Sequence, residues 1–301
     1  MANRAFTMVM ASFVADSLAL GAHWIYDTKA IEARLGRVDT FLKPQPNSYH
    51  STKELGDFTH YGDQMFVLLE SLAAQKGLSL ANFSARWKTL FENYNGYIDQ
   101  ATQGTLARYD SGKGPQKGGS PSDDLAGAAR IAPLVYAYSD HLENLIDAAK
   151  AQTQMTHTSP LTVESAAFFA EVTFRVLGGL APRKALRETA DENFSDSPLS
   201  DWVKAGLQTA ADNSVQIILG FGQSCHTPEA FPGVIHLIAK YESDLKEALV
   251  QAVMAGGDSA ARGMVVGMVL GAHSGDESLP LEWTSALNKK QQIAQMLKQL
   301  R

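Results

Sequence analysis

Cysteine is nearly absent from this chain of 301 residues. Cys225 stands alone, which excludes an intrachain disulfide and any zinc site built on several thiolates. A reducing compartment, and hence a cytoplasmic location, is the matching expectation. Basic residues are also in short supply: Lys and Arg total 26 against 32 Asp and Glu, for a formal net charge of -6. That balance argues against a nucleic-acid partner or an anionic membrane surface, both of which need a basic face. No uninterrupted apolar run is long enough to span a bilayer. The opening stretch, MANRAFTMVMASFVADSLALGAHW, begins like a signal peptide, but Asp16 interrupts it and its apolar spacing fits an amphipathic core helix. Strand-like alternation is scarce as well.

What remains is helical. Hydrophobic residues make up 45% of the chain, enough for a sizeable core. They recur at helical spacing over 4–20, 63–75, 81–93, 124–138, 142–152, 162–176 and onward to 285–300. Several of these stretches open on Ser, Thr, Asp or Pro, as helix starts do. Two segments, 38–60 and 108–123, carry no periodicity, and loops of that length are more often functional than not. Helices of the same character continue on both sides, so the expected architecture is all-α, in one domain over 1–301.

Five stretches concentrate polar groups at helix ends. "MAGGDSAARGMVVGMVLGAH" places Gly256, Gly257, Asp258 and Ser259 at a helix entrance, with Arg262 one turn on. Backbone amides there suit an anion, while Asp258 is equally suited to capping them. Gly263, Gly267 and Gly271 form a stripe that permits close helix contact. "FTHYGDQMFVLLESL" sets His60, Tyr61, Asp63 and Gln64 before another amphipathic run, with Asp63 either a cap or a site residue. "VADSLALGAHWIYD" buries Asp16 in an apolar helix, a costly placement unless it is paired or functional, with His23 just beyond. "GGSPSDDLAGAARIAPL" supplies Asp124 after a glycine loop that lacks a P-loop ending, and "QMTHTSP" supplies His157.

Taken in order, these segments resemble the ADP-ribosylglycohydrolase family. Residues 15–24 are similar to its Gly-Asp-Ala-Leu-Gly helix, and 60–65 stand where its Thr-Asp-Asp-Thr metal motif falls. "GAARIAPL" and "MTHTSP" resemble its Met-Arg-x-x-Pro and Thr-His-x-x-Pro stretches. Residues 255–283 resemble its terminal Gly-Gly-Asp-x-Asp-Thr helix and Trp tail. The resemblance implies a compact helical domain and hydrolysis of a glycosidic bond to ADP-ribose with two magnesium ions, whose hard charge suits clustered carboxylates.

The departures narrow that expectation. Ala260 and Ala261 replace an acid and a Thr of the late motif, leaving Asp258; the early motif aligns in two ways, with Asp63 in place of its first Asp between Gly62 and Gln64, or with His60, Tyr61 and Gly62 as its triplet and Asp63 displaced. This looks closest to the family's crystallin-like branch. A two-magnesium centre is not expected, and at most one weakly held magnesium would fall on Asp63 and Asp258. The resemblance implies a divergent hydrolase of a ribosyl-type bond, acting on a small-molecule or ADP-ribosylated substrate. Asp63 or Asp258 would act as base or carbocation stabiliser, and His23 or His60 as acid. Asp16, Tyr61, Asp124, His157, Ser259 and Arg262 would contact substrate, with Arg262 gripping an anionic group or pairing with Asp258. The other reading is a ligand-binding or crystallin-like structural protein without turnover.

Overall fold

The computed structural model describes residues 2–275 and 278–300. Among them are seventeen helices. In chain order they are α1 (Ala2–Ala19), α2 (Thr28–Leu35), α3 (His60–Gln75), α4 (Leu80–Glu92), α5 (Gln100–Asp110) and α6 (Ala126–Ala129). There follow α7 (Ala132–Ala137), α8 (Leu142–Gln154), α9 (Pro160–Leu177), α10 (Pro182–Asn193), α11 (Pro198–Gln208) and α12 (Ser214–Phe221). The last are α13 (Thr227–Lys240), α14 (Leu245–Met254), α15 (Ser259–Ser274), α16 (Leu281–Ala286) and α17 (Lys290–Leu300). No named strand occurs among the described residues, in keeping with the all-α expectation. Two isolated β-bridges, Ser120–His157 and Asp124–His226, tie loop to loop. No described helix is long and apolar enough to cross a membrane.

Helix starts follow from local chemistry. Asp27, Thr59, Ser79, Asp99, Ser197, Asn213, Asp244 and Asp258 each accept a hydrogen bond from an amide of the first turn. Some elements differ from the sequence expectation. The expected helix over 124–138 is broken into α6 and α7 at Arg130–Ile131, where Pro133 opens the second piece. Helices α2, α5 and α12 lie outside the stretches whose spacing predicts a helix. The buried positions of α5 are Ala101, Thr102, Thr105 and Tyr109, small or bearing a hydroxyl, so no aliphatic stripe marks it. Thr105 satisfies its hydroxyl on Ala101 O at 2.8 Å, which lets a polar residue serve as core.

At the centre lies α15, buried from Ser259 to Ala272 and packed against α1, α9, α13 and α14. Its glycine stripe faces α1. A Cβ on Gly267 would lie 2.6 Å from Ala11 O, and one on Gly271 would lie 2.9 Å from Ala11 Cβ. The two backbones therefore touch directly, and α15 begins deep inside the molecule.

Gly267→Ala should lower unfolding free energy by about 1–3 kcal/mol, because the methyl meets backbone that cannot yield. Gly263→Ala, whose Cβ would find Ala15 Cβ at 3.4 Å, should be neutral or stabilising. Denaturant melts of the two variants check the contrast, and equal losses would refute it.

Candidate functional site

Loop ends converge where α15 starts. Gly256 and Gly257 turn the chain with φ of +69° and +63°, a conformation glycine adopts without strain. A Cβ at Gly257 would strike Gln223 O at 2.2 Å. The same segment is strapped to its neighbours by backbone bonds: Trp24 N to Gly257 O and Gly257 N to Ile25 O, both 2.9 Å, and Asp258 N to Gln223 O at 2.8 Å. Trp24 is held at φ +65°, where a bulky side chain is strained. Across the gap, Leu125 N donates to Cys225 O at 2.8 Å and Thr227 N to Asp123 O at 2.9 Å. The straps frame a cavity of about 290 Å³. Aromatic side chains (Trp24, Tyr26, Tyr49, Tyr97) form part of its wall, and Asp99, Asp123, Asp124, Cys225 and His226 supply most of its polar groups.

Of the expected site residues, Asp124 is the one that lines this cavity. Its Oδ1 accepts from Ala126 N at 2.8 Å, and it groups with Asp258 and Cys225, ligand atoms lying within 4.8 Å of one another. Burial, then the Asp258 charge, push the Asp124 carboxyl well above its ordinary range. Asp258 lies behind it, 1% exposed and outside the cavity lining, and serves as the cap. Its Oδ1 caps α15 on Ala261 N at 3.2 Å, and its Oδ2 accepts from the Tyr61 hydroxyl at 3.2 Å. Burial raises this carboxyl too.

Beneath the aromatic wall sit three histidines. His23 stacks on Trp24 with ring centroids 4.5 Å apart and on His50 at 5.3 Å, and His50 stacks on His60 at 5.4 Å. Burial holds His23 well below its ordinary pKa and takes His50 to about 2. His23 Nδ1 lies 3.9 Å from Asp258 and accepts weakly from Ala260 N at 3.4 Å. A buried, neutral imidazole is a poor general acid, so the expected acid role of His23 does not fit this setting. His60 Nε2 lies 3.1 Å from Asp99 Oδ2, at ion-pair distance but off hydrogen-bond alignment. Burial alone would raise Asp99, yet His60 and the Thr102 amide, 2.5 Å from Oδ1, hold it well below the usual carboxylate range.

Five expected site residues meet other surroundings. Asp63 does not join Asp258 in a metal pair: Lys53 bonds its Oδ2, Tyr94 donates to that oxygen at 2.7 Å, and Lys289 lies 3.9 Å from Oδ1. Arg262 neither pairs with Asp258 nor reaches the cavity. It donates to Ala252 O at 2.8 Å and Gly256 O at 2.5 Å, closing the C-terminal end of α14, as a cation does at the negative end of a helix. His157 bonds Thr156 Oγ1 at 2.8 Å and packs on Gly127, locking the Ser120 loop; burial lowers it to about 3. Ser259 is wholly buried beneath the site. Asp16 has no cationic partner and accepts from Thr59 N at 2.8 Å and Thr59 Oγ1 at 2.5 Å, tying α1 to the start of α3.

Asp99, Tyr49 and Tyr97 are site residues that sequence reasoning did not single out. The available signal was "NGYIDQATQ", an Asp directly before a stretch that is now seen to be helical.

Comparison with known proteins agrees with this geometry. The family model described as ADP-ribosylglycohydrolase matches residues 1–301. Crystallin J1A of Tripedalia cystophora is 25% identical, covering 99% of this chain and 96% of its own. The ADP-ribosyl-[dinitrogen reductase] glycohydrolase of Rhodospirillum rubrum is 24% identical over 78% of this chain and 75% of its own. A solved structure titled ADP-ribosylglycohydrolase-related protein complex superposes with a TM-score of 0.78 over 99% of this chain and 97% of its own, at 23% identity.

Burial raises Asp16 to about 7 from 3.8, so between those values the folded chain holds a proton that the unfolded chain has released. Its contribution to stability is complete below 3.8 and is lost as pH rises to about 7. Asp16→Asn should remove this dependence. Urea melts from pH 4 to 8 should show wild type losing ground to the variant as pH rises, and parallel curves would refute it.

Proposed function

The chain belongs to the ADP-ribosylglycohydrolase family, and from that premise we propose that it hydrolyses a ribosyl-type glycosidic bond with Asp99 and Asp124 as its working carboxyls. One observation carries this reading. Two carboxyls line the same cavity in opposite settings, Asp99 beside His60 and Asp124 beside Asp258 and Cys225. Environments that drive two carboxyls apart assign acid and anion between them. Asp124, kept protonated, gives its proton to the leaving group as the bond to the ribosyl carbon breaks. Asp99, kept ionised, faces the positive charge that develops on that carbon. Water then supplies the hydroxyl, and its remaining proton restores Asp124.

A two-magnesium centre does not suit the donors present. Among the described residues, the group able to hold a metal is Asp124, Cys225 and Asp258, two carboxylates and a thiol. Magnesium takes oxygen ligands and shuns sulfur. Ala260 and Ala261, both buried, offer no ligand in place of the late motif's acid and Thr. A single weakly held magnesium is the most this set supports, and no step above depends on it. Asp258 and His60 become positioning residues in this account, Asp258 (held by the Tyr61 hydroxyl) acting on Asp124 and His60 on Asp99, while Asp63 stays with Lys53 and Lys289 and His23 against Trp24, neither entering a step.

The substrate reading is a small molecule or an ADP-ribosylated one, in a cytoplasmic setting, without nucleic acid or membrane; the net charge of -6 supports the last two exclusions. The likeness to Crystallin J1A supports a second reading, a binder or lens-type structural protein that keeps the cavity without turnover.

The test is a panel of ribosyl and ADP-ribosyl conjugates, assayed for released reducing sugar with and without a chelator. The expected result is turnover that survives chelation, with kcat lowered at least about 100-fold in Asp124→Asn and in Asp99→Asn, the usual scale for losing a general acid or its partner. Turnover abolished by chelation and restored by magnesium would overturn the metal-free mechanism. Binding without turnover across the panel would favour the structural reading.

A further inference from the structure

We infer that this cavity selects a compact organic cation, such as a pyridinium or quaternary ammonium, as the group its ligand buries, and that it does not hold a diphosphate. The inference rests on the cavity being the working site and narrows its substrate class. Neither lysine nor arginine lines it, while Asp99, Asp123, Asp124 and His226 all do. Arg262 donates through Nη2 to the end of α14, and Lys53 bonds Asp63 and lies over the ring of Tyr94. An anionic ligand would meet Asp99 beside His60 and Asp123 beside His226, whose Nδ1 lies 2.7 Å from Asp123 Oδ1, with no lysine or arginine on the lining to receive it, and desolvating that contact is unfavourable. The first amides of α5 reach the cavity at Gln100 and Ala101, but Asp99 already stands at that helix end.

The wall is the second, independent observation. Trp24 and Tyr49 rings stand 5.1 Å apart at 90°, Trp24 and Tyr97 5.0 Å apart at 83°, and Tyr49 and Tyr97 5.1 Å apart at 72°. Rings so steeply set make a rigid corner rather than a parallel stack. Each face carries the negative lobe of its quadrupole, which attracts a cation with diffuse charge. Trp24 is kept in this corner despite its positive φ, because its amide bonds Gly257 O while Gly257 N bonds Ile25 O. Strain held in place by cross-bonds is characteristic of sites rather than of plain loops. At about 290 Å³, the cavity is at the small end for a ligand pocket, in keeping with one ring-sized group. Joined to the proposed reaction, the nitrogen of the bound cation would take the bonding electron pair as it leaves the ribosyl carbon and accept the Asp124 proton on that pair, while water supplies the hydroxyl to the carbon and its remaining proton to Asp124.

Calorimetric titration tests this with three probes: the 1-methyl-3-carbamoylpyridinium cation, its neutral counterpart nicotinamide, and ADP-ribose. The cation should bind at least about tenfold more tightly than nicotinamide, the scale of a cation on desolvated aromatic faces. ADP-ribose should not displace it. Tyr49→Leu, a change at a side chain 60% exposed, should erase most of the preference while leaving the melting temperature unchanged. Tyr97→Leu should do the same and serves should the first variant misfold. Equal affinity for nicotinamide, no cation binding, tighter ADP-ribose, or a preference that survives both variants would each overturn the inference. Cation binding with no hydrolysis of any ribosyl conjugate would remove the hydrolase reading and keep this one; hydrolysis without charge preference would do the reverse.

Discussion

The direct contact of α1 with α15, backbone to backbone across Gly267 and Gly271, sets the position of everything else. Because no side chain separates the two helices there, α15 runs through the interior and its N-terminal amides emerge under the site rather than at the surface. Asp258 must then be buried to cap them, and a buried carboxylate alters every titratable group around it. From this follow the Tyr61 hydroxyl on Asp258 and the raised carboxyl of Asp124, while burial itself holds His23 below its ordinary range. A packing decision made by glycine spacing thus becomes an electrostatic one some turns away.

The second constraint is where positive charge is placed. The buried arginines serve the scaffold. Arg130 joins Gln64 at 2.5 Å and Gln152 at 2.7 Å, and Arg262 closes α14. Both are lowered to about 10 by burial, still cationic at neutral pH. Lys53 and Lys289 neutralise Asp63. What is left at the cavity is a carboxylate set faced by aromatic rings, which makes a positively charged ligand or transition state the natural complement. Asp63, balanced by lysines, and Asp258, capping α15, sit on helices that keep the fold of the ADP-ribosylglycohydrolase family.

Much of the scaffold is legible in the sequence because it rests on local rules. Apolar spacing gives most of the helices, the glycine stripe gives the close contact, and the capping residue gives the start at Asp258, whereas α3 opens on Thr59, one turn before the Asp63 that the sequence offers as its cap. The loop over 38–60 also reads as functional, and it supplies Tyr49 and His50 to the site. The rest is hidden because it depends on residues far apart in the chain. Asp63 looks free until Lys289 folds onto it, 226 positions later in the numbering. Arg262 looks like an anion grip until the end of α14 presents its carbonyls. Helix α5 escapes because Thr105 takes a core position with its hydroxyl satisfied internally, and with α5 goes Asp99. Nothing in "AHWIY" announces that Trp24 will sit at positive φ.

The central claim is that Asp99 and Asp124 stand in one cavity in opposite protonation states. Site-resolved titration by carboxyl-carbon NMR, with resonances assigned through the two Asn variants, measures this directly in the unmodified protein. The account predicts Asp124 protonated at neutral pH, while Asp99 stays ionised well below the ordinary carboxylate range. Both groups titrating together near the unperturbed value of about 4 would contradict it.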